Sequence, residues 1–165
     1  LRPDTPSEGL PLAKLFPGVD LKDRYEKLNK AAAPFGLFFG DRTHLSNSRL
    51  ALEASEFARD MGHHQSFHAR VFRAYFTDVR DIGNLEVILE LAEDDGLDRE
   101  ELQAALKERH YASRLEQARQ KAYTYGVNAA PTFIINGRHK IVGAQSVEYF
   151  REQFRKEAIA EGTLL

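Results

Sequence analysis

From residue 47 to residue 125 the apolar positions recur three and four apart, the spacing that lays them along one face of an α-helix. Leu50, Ala54, Phe57, Ala58 and Met61 share one such face, with Asn47 as a cap and Gly62 as a stop. Phe67, Val71, Phe72 and Tyr75 repeat the pattern in a second helix. Leu85, Ile88, Leu89 and Ala92 repeat it in a third, between Asn84 and Gly96. Asp98 with Glu101 three residues on has the form of a capping box. It predicts one long, charged helix carrying Leu102, Ala105, Leu106, Leu115, Ala118 and Ala122, ending near Tyr125.

At Gly126 the period changes to two. The stretch "TFIINGRHKIVG" holds two β-rich runs joined by Asn136-Gly137, a hairpin signal because a tight turn there needs positive φ at both residues. A last helix is expected from Ser146, with Glu148 in its first turn and Val147, Phe150 and Phe154 as its buried stripe. The tail "EAIAEGTLL" is expected to fray. Before residue 47 the pattern is weaker. The first 20 residues, rich in proline and glycine, read as an irregular connection. A helix follows from an Asp20 cap to Ala33, stopped by Pro34 and Gly36, and "GLFFGD" (residues 36–41) reads as a brief strand or a buried loop.

Composition narrows the functional classes. With 25 acidic and 23 basic residues the net charge is −2, which gives no electrostatic reason to expect nucleic acid or an anionic membrane surface. No stretch approaches the roughly 18 apolar residues of a spanning helix. The expected partners therefore exclude nucleic acid and membrane. There is no cysteine, hence no disulfide, no thiolate nucleophile and no sulfur ligand for a metal.

The candidate polar clusters are weak. His64 and His68 are spaced to share a helical face, with His63 beside them, but no H-E-x-x-H arrangement accompanies them, so they read as solvated histidines and no metal site is expected. Asp78, Arg80 and Asp81 read as helix-end charges, and Tyr123 and Tyr125 as rim or core residues. No nucleophile elbow or phosphate-binding glycine loop occurs, and no cofactor is expected.

The stretch "GVNAAPTF" (residues 126–133) carries more. Pro131 has no N–H and suits the first position of a strand, and Ala129 and Ala130 before it would let another chain approach closely. By itself it is open whether this is a trans proline opening an edge strand or a cis proline that turns the chain.

Taken together, four stretches resemble the DsbA-like thioredoxin family: "LRPDTPSEG" at the start, "SNSRLALEASEFA" (residues 46–58), "FHARVFRAYFTDVRDIGNLEVILELAEDDGLD" (residues 67–98) and "GVNAAPTFIINGRHKIVGAQSVEYF" (residues 126–150). The branch they look most like is the dithiol-disulfide oxidoreductases associated with polyketide biosynthesis. The resemblance implies an α/β, thioredoxin-like fold of the DsbA type with an inserted helical domain. It divides the chain into residues 1–46 (a connection and remnant of the thioredoxin domain), 47–125 (the helical insertion) and 126–165 (the closing hairpin and helix). It makes Pro131 the family's cis proline, with Ala130, Thr132, Asn47 and Gln145 lining a substrate cleft. It implies a protein or peptide thiol or disulfide as partner, and a cytoplasmic setting.

The chain departs from the family at one point. The Cys-x-x-Cys motif lies between the family's first strand and first helix, and both precede the Arg-Pro-Asp segment with which this sequence opens. The expectation is therefore the C-terminal part of an oxidoreductase, redox-inactive as it stands, with the edge of its hairpin exposed and able to pair in a homodimer. Two other readings stay open. One is a glutathione-dependent member of the superfamily, of the 2-hydroxychromene-2-carboxylate isomerase or kappa-class transferase type. The other is a non-enzymatic peptide-binding module. Residues upstream of Leu1 would separate all three.

Overall fold

The computed structural model describes residues 5–160, the last by its backbone alone. The sequence motif that opens the chain therefore lies partly outside the described residues, as does the end of the tail. The chain forms two compact units, Leu1–Glu116 and Gln117–Leu165.

In the first unit a short strand β1 (Leu10–Pro11) leads into a single turn α1 (Leu12–Leu15) and then α2 (Leu21–Ala32). A second short strand, β2 (His44–Leu45), pairs antiparallel with β1, Leu10 opposite Leu45. The expected irregular lead thus contains regular structure. Its cause is a close approach: a Cβ on Gly9 would lie 2.4 Å from the Leu45 carbonyl oxygen, and Gly9 has φ +77°, so only glycine fits where the strands meet. Asp20 caps α2 as its sequence suggests, its carboxylate accepting from the Lys22 and Asp23 amides.

Residues 36–41 form neither a strand nor a buried loop, and Leu37 and Phe38 are exposed. A side chain does the work of a neighbouring strand here. Asn29 Nδ2 donates to the Phe39 carbonyl at 2.9 Å, and the Phe39 amide donates to Asn29 Oδ1 at 2.6 Å. The Thr77 hydroxyl holds the Phe38 carbonyl at 2.8 Å. Local amide bonding of this kind satisfies a backbone that has no ladder partner.

The core of this unit lies among α3 (Arg49–Asp60), α4 (His64–Phe76), α5 (Leu85–Glu93) and α6 (Arg99–Lys107). Ala54, Phe67, Ile88, Leu89 and Leu102 are buried at its centre. Phe72 and Met61, expected to face inward, are exposed. On α4 the buried positions are Phe67, Val71, Ala74 and Tyr75, which turns Phe72 outward beside His68, ring centroids 4.4 Å apart.

The long helix expected after Asp98 is broken. α6 ends at Lys107 and α7 (Ala112–Thr124) starts afresh. Arg109 takes φ +55° and the His110 amide reaches back to the Ala105 carbonyl at 3.0 Å, a left-handed helix ending made without glycine. Tyr111 explains the break. On an uninterrupted helix it would sit roughly 140° around from Leu106 and face away from the core. After the break it is buried, edge-on to Phe57 with centroids 6.3 Å apart, and its hydroxyl donates to Asp60 at 3.1 Å. Nearby, Glu53 is fully buried, and Arg49 and Arg109 approach its Oε1 at 3.1 and 3.6 Å.

In the second unit β3 (Thr132–Ile135) and β4 (His139–Val142) form an antiparallel hairpin, followed by α8 (Val147–Ala160). Asn136 and Gly137 have φ +52° and +71°, and Arg138 is the third loop residue, since Ile135 pairs with His139. α8 runs into the stretch expected to fray, through residues 157–160, and the rest of that stretch lies outside the described residues. Its expected buried stripe is only partly buried. Phe150 meets Phe133 edge-on at 4.8 Å, whereas Val147 and Phe154 are 60% and 52% exposed.

Two outcomes follow for stability. Tyr111→Ala removes the ring that the break exists to bury, and urea unfolding should show a loss of about 3 kcal/mol. Tyr111→Phe keeps the ring and should lose much less; equal losses would place the effect in the hydroxyl alone. The second outcome concerns acid. Burial of Asp95 opposes its charge, but hydrogen bonds from Ser66, Arg70 and His63 outweigh it and hold the carboxyl below its ordinary value. A carboxyl lowered by folding stabilises above its unfolded pKa and loses that contribution as pH falls through the folded one. The stability gap between wild type and Asp95→Asn should therefore shrink from about pH 5 to about pH 2. A constant gap over that range would contradict it.

Candidate functional site

The hairpin positions the residues around Pro131. α7 stops at Gly126, which has φ +62°, while the Val127 amide donates back to the Ala122 carbonyl at 3.0 Å. From β4, Lys140 Nζ donates to the Gly126 carbonyl at 3.1 Å. A cation is favoured at a helix C-terminus, and this one also ties the end of α7 to the hairpin. Between these anchors the chain passes through Ala129, Ala130 and Pro131, all exposed. The Ala130–Pro131 peptide bond is cis.

Two hydrogen bonds fix the turn. Thr132 Oγ1 donates back to the Ala129 carbonyl at 2.6 Å, and the Gly143 amide donates to the Pro131 carbonyl at 2.8 Å. The second bond sets the register of the hairpin edge. It flanks the Thr132–Val142 pair, which makes that pair one whose members do not bond to each other. The N–H and C=O of Thr132 therefore point away from β4, and those of Ile134 do the same two residues on. Among the described residues β3 pairs only with β4, so this outer edge is open. Gln145 lies two residues beyond Gly143. Its Nε2 donates to the Val142 carbonyl at 3.0 Å, which leaves its amide oxygen to accept. Ala130, Pro131, Thr132 and Gln145 thus belong to one turn-and-hairpin assembly.

Asn47 belongs to the first unit, and both ends of its amide have partners there. Nδ2 donates to the Thr5 carbonyl at 2.6 Å, and Oδ1 accepts from the Arg49 amide at 2.9 Å. It clamps the Thr5–Gly9 segment to the start of α3. Gly83 backs this clamp: a Cβ there would lie 3.1 Å from the Asn47 carbonyl oxygen.

The other polar candidates have structural partners. His63 pairs with Asp95 at 3.4 Å, and His64 lies between the Ser55 carbonyl and Arg59. Burial, then the neighbouring His64 and Arg59, push the pKa of His68 down. No cluster of three or more histidine, aspartate or glutamate side chains fit for a metal occurs among the described residues. Asp78 faces Arg73 at 3.6 Å, Arg80 pairs with Glu90, and Asp81 accepts from the Gly83 amide. Tyr123 and Tyr125 are exposed, with Arg119 over the Tyr123 ring. No helix among the described residues is long and apolar enough to cross a membrane.

Three positioning residues have no clear signal in the sequence. Lys140 occupies an outward strand position that reads as a solvated charge. Gly143 and Gly83 matter through backbone contacts made with distant residues.

Comparison with known proteins agrees with this architecture. Residues 1–155 match the DSBA-like thioredoxin domain family. The uncharacterized protein YwbO of Bacillus subtilis strain 168 is 35% identical over 109 residues, which cover 66% of this chain and 54% of that protein. The chain thus spans about half the length of this curated relative. The crystal structure of the probable DsbA oxidoreductase SCO1869 of Streptomyces coelicolor superposes with a TM-score of 0.84. That match covers 99% of this chain and 73% of the other at 24% identity, and it shows a shared fold. The chain has a DsbA-like thioredoxin fold and belongs to the DSBA-like thioredoxin domain family.

Proposed function

We propose that this chain supplies the substrate-docking hairpin and the helical unit of a DsbA-family thiol–disulfide oxidoreductase. The partner class is a protein or peptide thiol or disulfide. Exchange needs a thiolate that attacks a disulfide sulfur, forms a new S–S bond and expels the other sulfur as thiolate. These 165 residues contain no cysteine, so the attacking pair must lie outside them, and the chain alone is redox-inactive.

The open edge of β3 carries this reading. It begins directly after Pro131, where small exposed residues leave room for an extended backbone. Strand addition draws affinity from main-chain hydrogen bonds and is tolerant of sequence, which suits an enzyme that meets many substrates. Gln145 adds a side-chain acceptor beside the same turn.

The natural protein, isolated from its source and reduced, should contain a Cys-x-x-Cys pair that alkylation and intact-mass measurement can count. It should reduce peptide disulfides or oxidise peptide dithiols, and the 165-residue chain should not. In the natural protein Ala130→Trp should raise KM about tenfold with kcat little changed, because the indole blocks the docking edge but not the sulfur chemistry. A natural protein without a cysteine pair would overturn the oxidoreductase reading. A serine in place of the first cysteine, with glutathione turnover, would favour a glutathione enzyme. An unchanged KM in Ala130→Trp would remove Ala130 from the docking surface.

A further inference from the structure

A cavity of about 140 Å³ lies between α1, α2 and the end of α4, wholly inside the first unit. Its walls are apolar and aromatic, including Leu12, Phe16, Leu28, Phe39 and Phe76. Two cations complete it, Arg24 and Arg42, and no carboxylate is among the lining residues. Arg24 lies over the Phe16 ring at 4.9 Å. Arg42 lies over Tyr75 at 4.0 Å and over Phe76 at 5.3 Å.

Arg42 is the unusual member. Elsewhere in this unit buried or half-buried charges meet an opposite charge: Glu53 meets Arg49, and Asp95 meets Arg70. Arg42 Nε and Nη1 are buried and have no hydrogen-bond partner among the described residues, and the residue also borders a surface hollow that holds Glu8 and Asp81, neither within ion-pair distance. The aromatic faces offset part of the cost of burying a guanidinium but neutralise none of its charge. A positive charge in a low-dielectric wall attracts an anion far more strongly than the same charge in water. The cavity's size and lining define the rest of the ligand, since an apolar cavity of about 150 Å³ is known to hold a benzene ring.

We propose that this cavity binds a small carboxylate with an apolar body, its anionic end towards Arg42 and Arg24 and its body against the Phe39 and Phe76 rings. The occupant is a free small molecule, and the site is built from residues of the first unit alone.

Benzoate and benzyl alcohol test it, because they share a ring and differ in charge. Titrated into the natural full-length protein, benzoate should shift the methyl resonances of Leu12 and Leu28 and bind about tenfold more tightly than benzyl alcohol, as expected for charge-assisted contacts. Arg42→Met should abolish that preference, and Arg42→Lys should keep part of it. Equal affinity for acid and alcohol would overturn the proposal, as would methyl shifts confined to other regions or a preference that survives Arg42→Met. If Arg42→Met does not fold, the acid–alcohol comparison on the unaltered protein decides alone.

Discussion

A β-strand turns its N–H and C=O groups to alternate sides, and among the described residues only one side of β3 is taken. The Gly143 amide on the Pro131 carbonyl puts Thr132 and Val142 opposite each other without mutual bonds, and so turns the polar groups of Thr132 outward. Other contacts in the second unit support that hairpin. Asn136 and Gly137 adopt the positive φ values that close the hairpin. Lys140 fastens the hairpin to the end of α7, and Thr132 folds its hydroxyl back over the turn. A slip of one residue would exchange the two faces of the hairpin and bury Lys140 where Ile141 now sits.

The first unit solves a different problem, because its helices bury charge as well as apolar surface. The buried Asp95 carboxylate is held from α4 by Ser66 and Arg70, while the exposed Asp60 is held by Tyr111 and Arg114. Hydrogen bonds from Arg114, against a smaller effect of burial, hold the Asp60 carboxyl below its usual range. The exposed ends of such networks add little to stability. Their role is to fix geometry: Arg114 sits over the Tyr111 ring at 5.1 Å and locks the first turn of α7 beside the end of α3.

These two economies explain which parts of the molecule were legible in the sequence. Caps are local, so Asp20, Asn84 and Asp98 could be read directly, as could the stops at Gly36, Gly62, Gly96 and Gly126. Asn136-Gly137 marked its hairpin for the same reason. The break at Arg109 was not legible, because an arginine carries no signal for a left-handed conformation and the gain comes from Tyr111 reaching Phe57 and Asp60. The loop at residues 36–41 hid its dependence on Asn29. At the site, Pro131 and its neighbours stood out by resemblance to the family, and local turn chemistry supports their arrangement. Asn47 was visible as a residue but not as a clamp, since its partners at Thr5 and Pro6 lie about 40 residues away. Arg42 was invisible, a single arginine in a polar run whose burial only tertiary packing creates.

The hairpin also states a demand that the proposed function meets. Two strands alone are marginal in water. One face of β3 and β4 is supported by the Phe133–Phe150 contact and by buried Ile141. The other presents Thr132, Ile134, Lys140 and Val142, and the outer edge of β3 pairs with no strand among the described residues. A third strand against that edge would satisfy them, and a sulfur pair beside Pro131 would complete the chemistry. The family to which the chain is similar places its central strand and the cysteine pair that follows it together. In the proposed reading, then, the missing strand and the missing sulfur are one requirement: the segment that completes the sheet is the segment that brings the thiolate to the docked substrate.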